Sequence, residues 1–366
     1  MKYISLSAIH LAWYWLIFFL PGNTHIKPEP SVPVVQQHYT ANELFEKEDV
    51  LIVKISGNVR DLFNDRGETP TYHPITLSYK INDSSAISLP LKAKTRGNFR
   101  KLKENCDFPP ILLNFQRVSS KSTLFENQDK LKLTTPCRGE TYVIREYLVY
   151  KLYNLLTPKS FRARLARVSF YDDVRNKESA SFYGILQEED EQMAQRNQSK
   201  LFQRKMLRGE STETETFLKM AVFQYMIGNV DWSVPFLHNI RLIAFDSLSI
   251  PSVVPYDFDH AGIVNAPYAL PPEQLNMSSI QERRYRGYCI TDMQKFADVI
   301  ATFNRLKSSF YSVYTDCKLL DSKSLTSTIR FLDKFYDVIN NPKKLKTEFS
   351  YPCNATENYI IKGLEN

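Results

Sequence analysis

The stretch from Met226 to Val264, MIGNVDWSVPFLHNIRLIAFDSLSIPSVVPYDFDHAGIV, gathers several side chains able to do chemistry. Asn229 and Asp231 fall in a polar loop after an apolar, helix-like run that ends at Gly228. His238 and Asn239 stand just before the strand-like run IRLIAF, and a second run, VVPY, leads into Asp257-Phe258-Asp259-His260. Paired as a hairpin, the two runs bring Asn239 and Asp257 side by side, with their oxygens directed into one cleft. Hard oxygen donors of this kind suit a divalent cation, and magnesium is commonly held by one or two carboxylates plus phosphate oxygens. A further carboxylate nearby, Asp231, can orient an attacking hydroxyl or accept its proton. Phosphoryl transfer needs those parts and little covalent chemistry.

Each residue also has a plainer reading. An aspartate at a strand end commonly braces a turn. Asn229 alone suits the C-cap of the helix ending at Gly228. His238 and His260, as single histidines, read first as structural hydrogen bonders. What favours chemistry is the convergence of the set. A metal-dependent hydrolase built on Asp257, Asp259 and His260 is a third, weaker reading.

The elements that must position these residues change character along the chain. Val50–Ile55, Ile75–Ile81, Ile87–Lys94, Ile111–Phe115 and Lys130–Leu133 are short β-branched or alternating runs separated by turn residues. They predict a mainly antiparallel sheet. In Thr141–Leu156 the period changes: Ile144, Leu148, Leu152 and Leu155 share a helical face, and Pro158 ends the run. Two strands are expected near Leu165–Tyr171 and Ser181–Leu186. Glu188–Leu207 reads as a charged helix and Thr214–Ile227 as a buried one. Strands are expected at Asn239–Ala244 and Val253–Tyr256. Thr291–Leu306, Ser309–Leu320 and Ser322–Ile339 read as closing helices. The fold class is α+β, a small sheet-rich lobe followed by a larger helical lobe.

The loop Asp…Asn, a hairpin, then Asp-Phe-x is the order of a protein-kinase catalytic loop and metal loop. The segment resembles more closely the spore-coat kinase CotH and the atypical kinases of its superfamily, in which an N-x-D…HN loop and a D-x-D loop follow each other across one hairpin. Upstream, Arg96-Gly97-Asn98-Phe99-Arg100 is similar to the R-G-N-x-[SR] segment of that family, and Tyr183-Gly184 to Glu188 resembles its Y-G-x-x-x-x-E strand. The likeness spans about residues 90–265. It implies a bilobal protein-kinase-like fold, with a small antiparallel lobe over 46–187 and a larger helical lobe over 188–366. It implies Asp231 as catalytic carboxylate and Asn239, Asp257 and Asp259 as metal ligands. Arg96 would stand near the nucleotide phosphates. Lys132 (or Lys130) and Glu146 would be the strand lysine and helix glutamate of the nucleotide site. The implied cofactors are ATP and Mg2+ or Mn2+, and the implied acceptor is a protein. In the kinase loop four residues separate Asp from Asn; here seven do, including Pro235, so the loop must bulge. The alternative reading is an envelope or surface binding protein on a kinase-derived scaffold, without turnover.

Composition narrows the remaining classes. In 366 residues, hydrophobic types make up 43% and charged types 24%, which excludes a disordered chain, a fibrous repeat and a polytopic membrane protein. The 11 glycines form neither G-x-G-x-x-G nor G-x-x-x-x-G-K-[ST], so a glycine-rich phosphate cradle of either type is absent. The net charge of +7 is mild, and its densest basic run, Arg283-Arg284-Tyr285-Arg286, reads as a solvated or ion-paired loop rather than a nucleic-acid patch. Residues 1–22 read as a signal peptide or an uncleaved anchor, and 23–45 as an extended linker. The expectation is an exported protein (periplasmic, cell-envelope or secreted), tethered to the membrane where the N-terminal segment is kept. The five cysteines show no C-x-x-C spacing; Cys106 and Cys137, both in turn-like loops, either pair or remain ordinary free thiols.

Overall fold

In a computed structural model, residues 43–81, 85–115, 120–289 and 292–349 are described. The expected signal or anchor lies outside them, as does the linker up to residue 42. Among the described residues no helix is long and apolar enough to cross a membrane.

After a single turn α1 (Glu43–Glu46), strand β1 (Leu51–Gly57) buries Leu51, Val53 and Ile55 on one face. Helix α2 (Val59–Asn64) follows, then β2 (His73–Lys80), β3 (Ala86–Thr95), β4 (Ile111–Phe115) and β5 (Lys130–Thr134), an antiparallel meander. Burial alternates along β1, β2, β3 and β4, so one face of each enters the core. Helix α3 (Glu140–Leu156) intervenes before β6 (Ala163–Asp172), β7 (Lys177–Glu178) and β8 (Phe182–Gln187). Strand β8 joins β5 to β6, and β6 pairs in parallel with β1, Val168 opposite Val53. Seven strands therefore close in the order β1-β2-β3-β4-β5-β8-β6 back to β1, with β7 appended to β6. The antiparallel sheet expected from the sequence is thus a closed barrel, which leaves no long unpaired edge. The closing parallel pair joins strands more than a hundred residues apart and leaves no local pattern.

Helix α3 packs outside the barrel. It is buried almost all round, because a second core of helices covers its other side. Leu155, expected on its buried face, is 43% exposed. Strands β6 and β8 also contribute to both cores, Phe182 and Leu186 inward and Leu165 and Ile185 outward. The second core is built on α5 (Thr214–Ile227), the hairpin β10 (Ile240–Ala244) and β11 (Ser252–Pro255), and helices α6 (Ala297–Arg305), α7 (Lys307–Thr315), α8 (Ser322–Ile339) and α9 (Pro342–Phe349).

The long helix expected over 188–207 is not formed. Only α4 (Asp190–Arg196) is helical, and β9 (Lys200–Leu201) then pairs with β10. Gln198 turns into the left-handed region at φ 53, and Arg196 reaches back to Glu188, so the chain reverses at once. The helix expected at 291–306 begins only at Ala297, after a 3-10 turn over Met293–Phe296.

Cys106 and Cys137 form a disulfide. It ties the segment after the 3-10 turn Phe99–Lys101 to the residues leading into α3. Closing a loop of 31 residues stabilises by about 3 kcal/mol through the unfolded chain. Cys289 is disulfide-bonded as well, so reductant acts on more than one bond. The paired substitution Cys106→Ser/Cys137→Ser isolates the effect. Its guanidinium unfolding midpoint is expected to fall by the equivalent of about 3 kcal/mol; an unchanged midpoint means that the crosslink contributes nothing.

Candidate functional site

Asp231 is placed by the end of α5. Gly228 closes this helix at φ 67, and a Cβ there would meet the Phe331 ring at 2.9 Å, so glycine is required. Asn229 then accepts a hydrogen bond from the Asp231 amide at 3.0 Å. The seven residues between Asp231 and Asn239 fold into a closed turn. Ser233 and His238 exchange backbone hydrogen bonds of 2.9 and 3.0 Å across it. The expected bulge thus returns His238 and Asn239 to Asp231. His238 Nε2 lies 3.0 Å from Asp231 Oδ1, and the Asn239 amide donates to Asp231 Oδ2 at 2.9 Å and to its carbonyl at 2.9 Å.

The basic run 283–286 belongs to this structure rather than to solvent. Arg283 donates to the Tyr225 and Met226 carbonyls at the end of α5 and to Phe331 O at 2.6 Å. Arg286 donates to the carbonyls of Val230 and Trp232, on either side of Asp231. Partly buried guanidiniums here satisfy carbonyls that a helix end and a loop leave open.

Across the β10–β11 hairpin, Tyr256 donates its amide to the Asn239 carbonyl at 3.0 Å. Asn239 and Asp257 flank this contact, and both adopt left-handed backbone, φ 51 and 58. Such kinks are uncommon outside glycine and occur where surrounding structure holds them. Here the hold on Asp257 comes from α3: its amide donates to the Tyr150 hydroxyl at 3.0 Å, and that hydroxyl donates to Gln187 Oε1 at 3.2 Å.

Arg100 joins the pieces. Its guanidinium donates to Asp259 at 2.8 Å, to Glu146 of α3 at 3.0 Å and to Asp257 at 3.1 Å. Arg100, Glu146 and Asp259 are buried, while the Asp257 side chain keeps 43% of its surface open. One positive charge thus faces three carboxylates. Burial pushes the Glu146 carboxyl up to about 8 against the pull of Arg100, with the Asp259 and Asp257 charges adding to the rise. Asp257 is raised by burial and by Asp259. Burial also acts on Asp259, but Arg100, His260 and the Tyr268 hydroxyl outweigh it and hold its carboxyl at about 2.

Lys132 does not meet Glu146. It lies opposite Gln187 in the β5–β8 pair, and its ammonium runs to Asp190, at the start of α4. Arg241 of β10 binds the other Asp190 oxygen at 2.6 Å and stacks on Tyr256, 4.4 Å from the ring centroid. The partner expected to be a lysine on Glu146 is instead Arg100. Within the run RGNFRKLK nothing marks that arginine, rather than its basic neighbours, as the buried one.

Arg96, Phe99, Gln187, Asp231, Asn239 and Asp257 line one cavity of about 220 Å³. Gly97, at φ 85, makes the turn between Arg96 and Phe99. Arg96 acts electrostatically on Asp257. Of the metal ligands expected from the sequence, Asp257 and Asp259 are both engaged by Arg100; Asp259 is buried, whereas Asp257 keeps an open face on the cavity. Among the described residues no group of three or more His, Cys, Asp or Glu side chains is placed to hold a metal by itself. The surplus of carboxylates, Asp231, Asp257 and Asp259 against Arg96 and Arg100, nonetheless fits a hard cation completed by phosphate oxygens. Asp257 and Asn239 are the residues that would hold it.

Fold and site together define a mixed α/β protein with a carboxylate- and arginine-lined cleft beside a β-barrel. No protein-family model and no curated protein matches the chain. Among solved structures, the proinflammatory kinase CtkA of Helicobacter pylori is similar at a TM-score of 0.42 and 13% identity, over 71% of this chain and 95% of that one. At this level of likeness the function rests on the residues themselves.

Glu146 gives the site a signature in pH. With its folded pKa raised to about 8 from 4.5, it keeps its proton where the unfolded chain has lost it. Its contribution to stability is complete below about pH 4.5 and is lost as pH rises through about 8. Urea unfolding across pH 5–9 is expected to show this decline in the wild type and a flatter profile in Glu146→Gln. Parallel profiles mean that Glu146 is ionised throughout.

Proposed function

We propose that this protein is an atypical, kinase-like phosphotransferase, moving a phosphoryl group from a nucleoside triphosphate to a hydroxyl, with a protein as acceptor. The observation that carries the reading is the convergence of Asp231, Asn239 and Asp257 on one arginine-lined cavity. Asp231, oriented by His238 and Asn239, accepts the acceptor's hydroxyl proton as the acceptor oxygen bonds to the terminal phosphorus and the bond from that phosphorus to the bridging oxygen breaks, releasing the nucleoside diphosphate. Arg96 offers a positive fork to phosphate oxygens, which guanidinium geometry matches. Gln187 Nε2, a buried donor without a partner, offers a further hydrogen bond at the cavity wall. A divalent cation on Asp257 and Asn239 would neutralise charge on the transferring group. On this reading the barrel and the helical core are the small and large lobes of a kinase-like fold. Export and attachment to the cell envelope belong to the same proposal and rest on the N-terminal sequence.

A second reading is favoured by one observation. Arg100 holds both Asp257 and Asp259, an arrangement equally suited to a binding protein without turnover. Metal–nucleotide at 100 times its Kd adds about 2.7 kcal/mol to the stability of a protein that binds it. A rise in melting temperature with Mg2+ or Mn2+ and ATP is therefore expected, with loss of the rise in Asp257→Asn. Asp231→Asn should keep the rise and lose about 10²- to 10⁴-fold in transfer rate. A rise without transfer in the wild type supports the binding protein, and no rise at millimolar nucleotide removes the phosphotransferase and favours the binding protein.

A further inference from the structure

A basic loop lies against the turn that carries the proposed base. After β9 the chain reads FQRKMLR over 202–208. Phe202 and Leu207 pack against the helical core, whereas Gln203, Arg204, Lys205, Met206 and Arg208 are exposed. Backbone bonds fix where this loop stands. The Phe202 amide donates to the Leu242 carbonyl of β10 at 2.8 Å, and the Met206 amide donates to the Pro235 carbonyl at 2.6 Å. Pro235 belongs to the turn that Ser233 and His238 close. Chain length alone keeps Pro235 within about 14 Å of Asp231. Gly209 ends the loop against α5, where a Cβ would come within 2.5 Å of the Phe217 ring.

The charge on this loop is open. Over 200–212 stand Lys200, Arg204, Lys205 and Arg208 against one acid, Glu210. Among the described residues, Arg204, Lys205 and Arg208 enter no ion pair. Other cations of the same half of the chain are spent: Arg196 on Glu188, Arg241 on Asp190, and Arg283 and Arg286 on backbone carbonyls. Open cations on a fixed loop complement carboxylates, and guanidiniums match them in a fork. Two other anions fit less well. Three cations fall short of the cluster of about four to eight that marks a lipid-headgroup patch. The one aromatic of the loop, Phe202, packs inward, so no ring is offered to the bases of a nucleic acid.

We propose that Arg204, Lys205 and Arg208 dock the phosphoryl acceptor, and that the acceptor is an acidic segment of protein. The inference rests on the phosphotransferase reading and adds to it the class of acceptor. With the acceptor hydroxyl at Asp231, an extended chain at about 3.3 Å per residue reaches the basic loop in about three to five residues. Acidic side chains at that spacing from the hydroxyl residue meet the loop, and basic ones at the same positions are repelled.

The test is fluorescence anisotropy of the full chain with three labelled serine peptides. They are identical except that the positions about three to five residues on either side of the serine are Glu, Gln or Lys. The Glu peptide is expected to bind about tenfold more tightly than the Gln peptide, the gain from a few exposed charge pairs, and the Lys peptide more weakly than either. The gap between Glu and Gln narrows as salt rises from about 50 mM to about 1 M. Arg204→Gln with Lys205→Gln should close most of it, while Arg204→Lys keeps it. Both positions are exposed, so the substitutions remove no core packing, and the melting-temperature rise with Mg2+ and ATP reports on the site in each variant. Phosphoryl transfer from ATP to the same peptides should show the preference in KM rather than in kcat. Equal binding of the Glu and Gln peptides overturns the proposal, and so does a gap that survives in the double variant. Anionic phospholipid vesicles that bind the wild type and not the double variant, with no preference among the peptides, overturn it and assign the loop to a membrane surface. A preference for Glu without transfer to any peptide keeps the loop as a dock for an acidic partner and overturns the phosphotransferase reading, so the two failures are distinct.

Discussion

One buried guanidinium determines how the parts of this protein meet. Arg100 comes from a turn beyond β3 of the barrel, Glu146 from α3, and Asp257 and Asp259 from the segment after the β10–β11 hairpin. No two of these three elements are adjacent in sequence. A charge this deep is tolerated only when paired, and removing one partner of a buried ion pair typically costs about 3–5 kcal/mol. Arg100 therefore acts as a condition on the fold: the barrel loop, the helix and the hairpin must arrive together or leave charges unmatched. The Cys106–Cys137 disulfide acts on the same joint, tying the chain just beyond Arg100 to the start of the helix that carries Glu146.

Around that joint the precision of the site comes from backbone held by side chains. Asn239 and Asp257 both occupy left-handed conformations, which cost energy for residues other than glycine. Their kinks persist because Tyr150 accepts the Asp257 amide and because Asn239 spends its own amide hydrogens on Asp231. Arg286 fixes the carbonyls on both sides of Asp231. The orientation of Asp231, the carboxylate proposed as base, is thus shared between the turn that returns His238 and Asn239 and a distant basic loop, while α3 holds Asp257. That sharing explains why a loop three residues longer than the kinase pattern still returns Asn239 to Asp231.

What the sequence made legible follows from the range of each interaction. Alternation in β2, β3 and β4, the buried run of α5 and the polar set from Asn229 to Asp259 are local patterns, and all were readable. The closure of β1 on β6 was not, since a parallel pair between strands far apart in the chain has no turn signature. Leu155 misleads because the helical face was drawn for one neighbouring layer, whereas α3 lies between two. Glu188 to Leu207 misleads because charged helix formers were weighed without the reversal at Gln198. Lys132 yields its expected place on Glu146 to Arg100 for a related reason: spacing along the chain cannot say which cation crosses to which acid. Register decides it, since Lys132 faces Gln187 and so reaches Asp190. Arg286 was hidden by its own composition, because a basic cluster resembles a solvated loop until the carbonyls it must satisfy are known.

The two charge clusters are opposite in sign, and that contrast bears on what the cleft can hold. Arg100 with Glu146, Asp257 and Asp259 carries more acid than base, and burial, with the neighbouring carboxylates adding to it, raises the pKa values of Glu146 and Asp257. Lys132 and Arg241 on Asp190 carry more base than acid, and burial together with the neighbouring arginines lowers the Lys132 pKa against the pull of Asp190. Tyr256 and Gln187 stand between them. A neutral ligand would relieve neither imbalance. An anion alone would meet the acidic floor, and a cation alone would sit beside Arg96. On the proposed phosphotransferase reading, a hard cation carried on phosphate oxygens would set its positive charge against Asp257 and its negative charge against Arg96. On that reading the charges of the cleft favour the same class of ligand as the donor atoms that line it.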